Sequence, residues 1–528
     1  MTNLDSGEGV ARGATGIYFS NIISAFASTG HFIVLTNLLS TGEVGIIAGI
    51  QILAYLASTV ANFSLPQPIM TSLPIPHALS KFIPKYGSTQ KGKVIGVFRV
   101  ALFMVLLIII PITLLVLWQA EPIAEFVFYG EAETLWVQLA AFEILFFTLN
   151  QFFFAAVVGI GRSGRAGLLY SVSLILRFGL AAIFVVFGFK VTGAVIGYII
   201  GDAALILLVA PLLFLKLKGR SEHIEIITVA RFSLPLLVSS LIVFGVSQID
   251  RIFALFQLGL PELGIYTVAV AAATIGAYAP NAFNTALVPA LSSMLVKNDM
   301  GSLKAISRVY TRYVSLLGVP TAVMIAALAL PLTRLFGPDY SSSALPAAII
   351  SIAVAFTSFT SVYNAQLVAA DKVKWIMLAN VIGLLVFTIV LTALVPISNF
   401  VGAALARSIM IFVVAAVIIY SSNKLGYFVL DVRALLSSLS ASIIMGVVLG
   451  VLSLMIGGYV RQLVALVILM PSGAVIYIAL LRLFKTFTVD DLTFLHKLLP
   501  NKMKALTGVV AEIAGVSNEW RKSTEQTS

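Results

Sequence analysis

The sequence predicts an all-α, polytopic membrane protein, and three observations carry that prediction. Of the 528 residues, 60% are apolar and 10% charged, with a mean hydropathy of +1.05. A soluble chain carries about 25% charged residues, so this one lacks the charge to cover a soluble surface. Apolar runs of about 20 residues, the length needed to cross a bilayer, recur along almost the whole chain. The basic residues between those runs fall on one side of the membrane in the threading that follows. Soluble enzymes and soluble nucleic-acid binders are excluded. With no cysteine, disulfide frameworks, thiolate metal sites and cysteine nucleophiles are excluded too.

Fourteen spans are expected, at 16–39, 44–65, 94–118, 135–158, 167–188, 193–215, 229–258, 262–288, 313–332, 342–369, 375–395, 401–421, 434–456 and 462–481. The segment before the first span is polar, with Asp5 and Glu8, and does not read as the basic start of a cleavable signal peptide. With both termini cytoplasmic, 27 of the 33 Lys and Arg lie in cytoplasmic segments and the span edges beside them. Lys190, Arg334 and Arg461 are external, and Arg177, Arg251 and Arg407 fall inside spans. A miscounted span would invert every later loop and scatter these charges, so the split supports both count and orientation. The net charge of +11 thus faces anionic cytoplasmic lipid, and no domain offers a nucleic-acid footprint. The external loop after the third span carries Glu121, Glu125, Glu131 and Glu133, expected to be solvated.

The second half of the chain echoes the first. Pro122 pairs with Pro331, Arg165 with Lys374, and Gly193-Ala194 with Gly402-Ala403, all at an offset of 209. Glu43-Val44-Gly45-Ile46 matches Glu262-Leu263-Gly264-Ile265 at an offset of 219. The expected organisation is a first lobe of six helices (1–215), a cytoplasmic linker (216–228) and a second six-helix lobe (229–425). Two extra helices (434–481) and a cytoplasmic tail (482–528) follow. Like-oriented repeats around a shared site are a transporter architecture. In the tail, Thr488-Val-Asp-Asp491 reads as a variant capping box opening a short amphipathic helix that lies on the membrane surface or packs on the span ends.

Ionisable groups inside spans are candidate functional residues, because exposing them to lipid costs several kcal/mol (roughly 3 on insertion scales). They are His31, Glu143, Arg177, Asp202, Asp250, Arg251 and Arg407. From the helical rise, Arg177 and Asp202 lie near the midplane and the others nearer the outer surface. Arg177 and Asp202, on consecutive antiparallel spans, either neutralise one another or face the interior. Asp250 and Arg251 are adjacent, so their side chains diverge by roughly 100°. Arg251 either reaches a polar interior or extends to the interface. Glu143 has the same two options, and His31 reads as a satisfied core histidine. Arg407 has no acid in its own span. Arginine guanidinium groups facing water suit phosphate or diphosphate, while exposed carboxylates suit cation coupling. Replacing Arg407 with Ala is expected to abolish transport and leave the protein folded.

No catalytic constellation appears: His31, His77, His223 and His496 are scattered, and no Walker loop is present. No enzymatic activity and no cofactor or metal is expected. Gly161-Arg-Ser-Gly164 is expected to be a cytoplasmic turn.

Several stretches resemble a known family. They are Ala78-Leu-Ser-Lys-Phe-Ile-Pro-Lys-Tyr86; Asp250-Arg251 with Leu258-Gly259 and Gly264-Ile-Tyr266; Leu335-Phe-Gly-Pro-Asp-Tyr340; and Gly402-Ala-Ala-Leu-Ala406. In order and spacing, over about residues 10–425, they resemble the polysaccharide-biosynthesis flippases (Wzx-type) of the multidrug/oligosaccharidyl-lipid/polysaccharide (MOP) superfamily. The tail, with Val489-Asp-Asp491 and Leu498-Leu-Pro500, is similar to archaeal members. The resemblance implies two helical lobes around a cavity open alternately to each side of the cell membrane. It implies movement of an isoprenoid (di)phosphate-linked oligosaccharide from the inner to the outer leaflet; the expected partners are the bilayer and that substrate, with sodium or a proton as a candidate coupling ion. The sequence departs from the pattern at Asn37, where a basic residue is expected, and in its Leu65-Pro-Gln-Pro and Leu73-Pro-Ile-Pro stretch. On this reading Arg177, Arg251 and Arg407 contact the headgroup, and Asp250 and Asp202 orient them or carry the ion. The alternative is a cation-coupled multidrug antiporter of the same superfamily, against which stands the absence of a carboxylate in 16–39. A membrane-embedded glycosyl polymerase would want a large external loop, and the longest here is about Trp118 to Thr134.

Overall fold

The computed structural model describes residues 27–62, 91–159, 163–217, 219–277, 291, 300–456 and 459–486. Among the described residues every regular element is helical. Outside them lie the start of the first span, the 65–76 proline stretch, the 78–86 motif, and the end of the eighth span. Residues 161 and 162 of the expected turn and the tail with its capping box also lie outside.

The helices are α1 (27–38), α2 (Thr41–Ala61), α3 (Lys91–Trp118), α4 (Ala120–Phe126), α5 (Thr134–Gly159), α6 (Ser163–Phe184) and α7 (Lys190–Lys216). They continue with α8 (Ile226–Gln257), α9 (Leu260–Thr274), α10 (Met300–Ala327), α11 (Ala329–Arg334) and α12 (Ala344–Ala369). Last come α13 (Val373–Lys424), α14 (Val432–Met455) and α15 (Tyr459–Leu483). Ten segments are long and apolar enough to cross a membrane, which makes this a multi-pass membrane protein. Two of the ten, Leu168–Leu215 and Val373–Lys424, each hold two of the expected spans. The ten therefore account for twelve spans, and α1 and α9 stand where the other two are expected.

The hairpin turns can be located from what the glycines touch. A Cβ added to Gly197 would meet Ala181, and one on Gly201 would meet Arg177, so α6 and α7 run antiparallel about residue 189. In α13, Gly383 faces Val414 and Gly402 faces Leu394, which places the fold-back near residue 398. The backbone leaves helical geometry at both points. Lys190 takes φ 47°, ψ −135°, and Asn399 takes φ 50°, ψ −134°. These two residues are 209 apart, the offset that aligns the two halves of the sequence.

The same offsets recur in the element ends. Lys91 and Met300, Trp118 and Ala327, and Ala120 and Ala329 each stand 209 apart. So do Pro111 and Pro320, the prolines inside α3 and α10. Thr41 and Leu260, which open α2 and α9, stand 219 apart, as do residue 38 and Gln257, which close α1 and α8. Two six-helix arrays thus share one chain trace, and α14 and α15 follow them.

The arrays meet at one end. Gly45 of α2 lies against the Leu260 carbonyl, and Gly264 of α9 lies against the Thr41 carbonyl, a reciprocal contact in which each glycine holds the same register. A side chain at either position would displace the partner helix backbone. Around this crossing Asn37 donates to the Leu335 carbonyl (2.8 Å), and the Tyr129 hydroxyl donates to the Leu255 carbonyl (3.1 Å). In each case the end of the first helix of one array touches the loop after the short helix of the other. One large apolar core spans both arrays at this end, including Leu35, Ile50, Val137, Tyr266, Phe336 and Ala403. Away from it, the described residues form separate cores. One holds Phe98, Phe152 and Leu205 of the first array, and another holds Leu303, Val319 and Val362 of the second. The two arrays are joined at the end that the charge pattern assigns to the outside.

These contacts predict opposite effects for two glycine substitutions. Gly264→Val should lower stability by about 1–3 kcal/mol through overpacking, read as a fall in Tm in detergent. Gly450→Ala, where an added Cβ meets nothing within 4 Å, should leave Tm unchanged or slightly raised.

Candidate functional site

All seven candidate ionisable residues lie among the described residues, and the structure gathers them into two groups. In the first array, Arg177 of α6 is paired with Glu143 of α5 (2.5 Å) and with Asp202 of α7. All three are buried, with Glu143 at 0% exposure. Asn150 of α5 donates from Nδ2 to Asp202 (2.7 Å) and to Ser173 (3.0 Å), which extends the network along the helices. The Arg177 guanidinium also lies over the Phe147 and Tyr198 rings, 5.1 and 4.7 Å from their centroids. Glu143 therefore does not extend to the membrane interface. It turns inward because Arg177 offers it compensation that lipid cannot.

His31 of α1 sits beside this group. Its Nε2 shares a 3.0 Å hydrogen bond with the Tyr198 hydroxyl, and its ring stacks on Phe178 at 4.8 Å. This is the satisfied core histidine that the sequence suggests.

In the second array, Asp250 of α8 is fully buried and paired with Arg407 of α13, and it accepts the Tyr266 hydroxyl of α9 at 2.5 Å. The acid missing from Arg407's own span is supplied by a span more than 150 residues away in sequence. Arg251 points elsewhere, as the helical angle between neighbours requires. Its Nη1 donates to Gln248 one turn earlier (3.2 Å), and its buried Nε meets no partner. Among the described residues no carboxylate forms an ion pair with Arg251. Its flanks at 245–249 and 252–253 are part-exposed, on a helix that packs against α13, α9 and, across the arrays, α2. Tyr55 of α2 lies in the field of both Arg251 and Arg177 and so stands between the two groups.

The two groups are built on one plan. His31 and Asp250 are 219 apart, Tyr198 and Arg407 are 209 apart, and each pair is in contact. The first array holds a neutral His–Tyr pair where the second holds a charged Asp–Arg pair. Sequence reasoning missed Tyr198, Tyr266, Gln248 and Asn150, since uncharged polar residues do not stand out in a span. The repeat offsets would have found Tyr198, by carrying Arg407 back onto the first half.

Charge accounting separates the arginines. Arg177 faces two carboxylates and Arg407 faces one, whereas Arg251 is the intramembrane arginine without an ion-pair partner among the described residues. The arrangement can attract an anion at Arg251 and an extra positive charge at Glu143 and Asp202. No group of three or more metal-ligating side chains is present among the described residues.

The fold is that of MOP-superfamily transporters. It is similar to the lipid II flippase MurJ in an inward closed conformation, at TM-score 0.69 and 15% identity, covering 89% of this chain and 98% of that one. It is similar to a mutant of the Vibrio cholerae MATE transporter VcmN at TM-score 0.55 and 14% identity, covering 79% and 97%. A Pyrococcus furiosus MOP-superfamily transporter, described by the reversed polarity of its binding pocket, matches at TM-score 0.55 and 16% identity, covering 79% and 95%. No curated protein matches the sequence significantly. The family model for polysaccharide biosynthesis proteins matches residues 10–295, and the MatE model matches 235–394. The chain belongs to the polysaccharide biosynthesis protein family.

The pairing of Arg407 changes what its removal should do. Arg407→Leu leaves the Asp250 charge buried and uncompensated, so it should destabilise the fold by about 3–5 kcal/mol rather than act on transport alone. Adding Asp250→Asn should recover most of that loss, as measured by denaturation in detergent. Recovery by the double variant would not occur if Arg407 were held by other contacts.

Proposed function

We propose that the protein is a flippase that moves an isoprenoid (di)phosphate-linked oligosaccharide from the cytoplasmic to the outer leaflet by alternating access. The observation that carries this reading is Arg251, a part-exposed residue whose guanidinium has a buried Nε without a partner and no ion-pair partner among the described residues. A lone cation inside a membrane is costly unless an anion completes it, and a planar guanidinium accepts phosphate oxygens in pairs. Family membership supports the substrate class, since polysaccharide assembly outside the membrane needs its lipid-linked units delivered there.

In this reading Arg251 contacts the (di)phosphate. Arg177 and Arg407 each fix helix register within their own array and are already paired with Glu143, Asp202 and Asp250. The lobes at 1–215 and 229–425 rock about the Gly45–Gly264 crossing, with both termini cytoplasmic. The separate cores at the other end support a cavity that opens to the inner leaflet, where the substrate would enter. The chain performs transport and no bond-forming chemistry.

The excess carboxylate beside Arg177, with the MatE match over 235–394, favours the cation-antiporter alternative. Reconstitution separates the two readings. Proteoliposomes holding a fluorescent isoprenoid-diphosphate oligosaccharide should lose protection from an external glycosidase when the protein is present. Arg251→Gln should slow that loss by about tenfold or more, corresponding to one charge-assisted contact of about 1.5 kcal/mol or more, while folding normally. Export of a cationic dye with no lipid movement would overturn the proposal.

A further inference from the structure

The group around Arg177 sets two carboxyl groups against one guanidinium, and all three members are buried. Glu143 and Asp202 are 0% and 2% exposed, and Arg177 is 6% exposed. Both oxygens of Asp202 are occupied by N–H donors, Oδ1 by Asn150 and Oδ2 by Arg177. Glu143 Oε1 accepts from Arg177 Nη2. Its Oε2 is buried and has no partner. An uncompensated carboxylate there would be held in a low-dielectric interior with one oxygen unsolvated, a state that buried groups avoid by taking a counter-charge.

What can supply that charge is limited by the ligands at hand. A hard metal cation collects several oxygen ligands in its shell. Here three of the four carboxylate oxygens already accept from nitrogen donors, and the guanidinium sits beside the fourth. The other buried oxygens of α5 without a partner, Thr148 Oγ1, Asn150 Oδ1 and Gln151 Oε1, are neutral, and the adjacent guanidinium repels a metal cation, whereas one carboxylate oxygen suffices for a proton.

We propose that Glu143, Arg177 and Asp202 form a binding site for one exchangeable proton, carried on Glu143 Oε2, and that this proton is the coupling ion of the transport cycle. The coupling half rests on the flippase reading above; the proton site does not. The chemistry is a simple ionisation: the Glu143 carboxyl releases H+ to water when the site opens, leaving the carboxylate, and takes it back when the site closes. The other titratable groups facing the cluster are His31 of α1, Tyr55 of α2, Tyr170 of α6 and Tyr198 of α7. His31 is committed to Tyr198, and the three tyrosines are neutral, so none of them cancels the excess charge. The site lies on α5, α6 and α7 and owes nothing to α1, which carries no carboxylate among its described residues.

Infrared spectroscopy of the full-length protein in nanodiscs tests the site without substrate. At neutral pH the wild type should show the C=O stretch of one buried protonated carboxyl, which disappears on alkaline titration. Glu143→Gln mimics the protonated acid, so it should fold with wild-type Tm and lack the band. Asp202→Asn should also lack it, because one carboxylate facing one arginine is balanced and Glu143 then ionises. A wild type without the band, or a band unchanged in both variants, would overturn the proposal. Loss of the band on adding sodium at constant pH would overturn it in favour of a metal cation. In proteoliposomes, an imposed pH gradient should accelerate lipid movement by the wild type, and Glu143→Gln should abolish that acceleration. Failure of the wild type to move the lipid, with the band intact, would sink the flippase reading and leave the proton site standing.

Discussion

A charge inside a membrane must find its opposite inside the protein, and that constraint organises this molecule. Arg407 of α13 reaches across to Asp250 of α8, and Arg177 of α6 gathers Glu143 of α5 and Asp202 of α7. Each contact joins helices that the chain alone would leave free to slide, since apolar faces pack against lipid and against one another with little preference. The ion pairs therefore fix helix register inside the membrane-spanning part of each array. They also leave one arginine over. Arg251 is conspicuous because its neighbours have been neutralised, and the functional reading follows from that remainder.

The second organising feature is the duplication. Helix ends, prolines and the two non-helical turns recur at 209 or 219 residues, so the two arrays have one architecture. A duplicated fold gives a reciprocal contact at no extra cost in design, and the Gly45–Gly264 crossing is that contact. Small residues let helix backbones approach closely, which favours association in lipid. Divergence then made the halves chemically unlike. The His31–Tyr198 pair is neutral where Asp250–Arg407 is charged, and the extra carboxylate sits only in the first array. One array is suited to hold a positive charge and the other to meet a negative one.

Much of the fold was legible in the sequence, because hydropathy and charge asymmetry report directly on a bilayer. Every expected span has a helix where the residues are described, and the turn within α13 falls between 395 and 401, where the eleventh and twelfth spans were divided. The candidate site was legible as a set of residues but not as a set of partners. Helical spacing says that Asp250 and Arg251 diverge; it does not say that Arg407 waits 157 residues away for one of them. Glu143 shows the same limit, since its depth alone fitted both an interfacial and a buried role. Packing decided between them by placing Arg177 within reach. Gln248 carried no signal, and Tyr266 stood out only within a family motif and not as a partner of Asp250, since the importance of an uncharged polar residue comes from what it touches.

The account stands or falls on the sign of the charge at Arg251. Binding to the nanodisc-reconstituted protein can be compared for an isoprenoid diphosphate, the corresponding uncharged isoprenol and a quaternary-ammonium dye. The account predicts that the diphosphate binds about tenfold or more tightly than the alcohol, a difference of at least ~1.4 kcal/mol, and that Arg251→Gln erases most of that preference. Equal binding of the charged and neutral lipids, or tighter binding of the cationic dye, would contradict it.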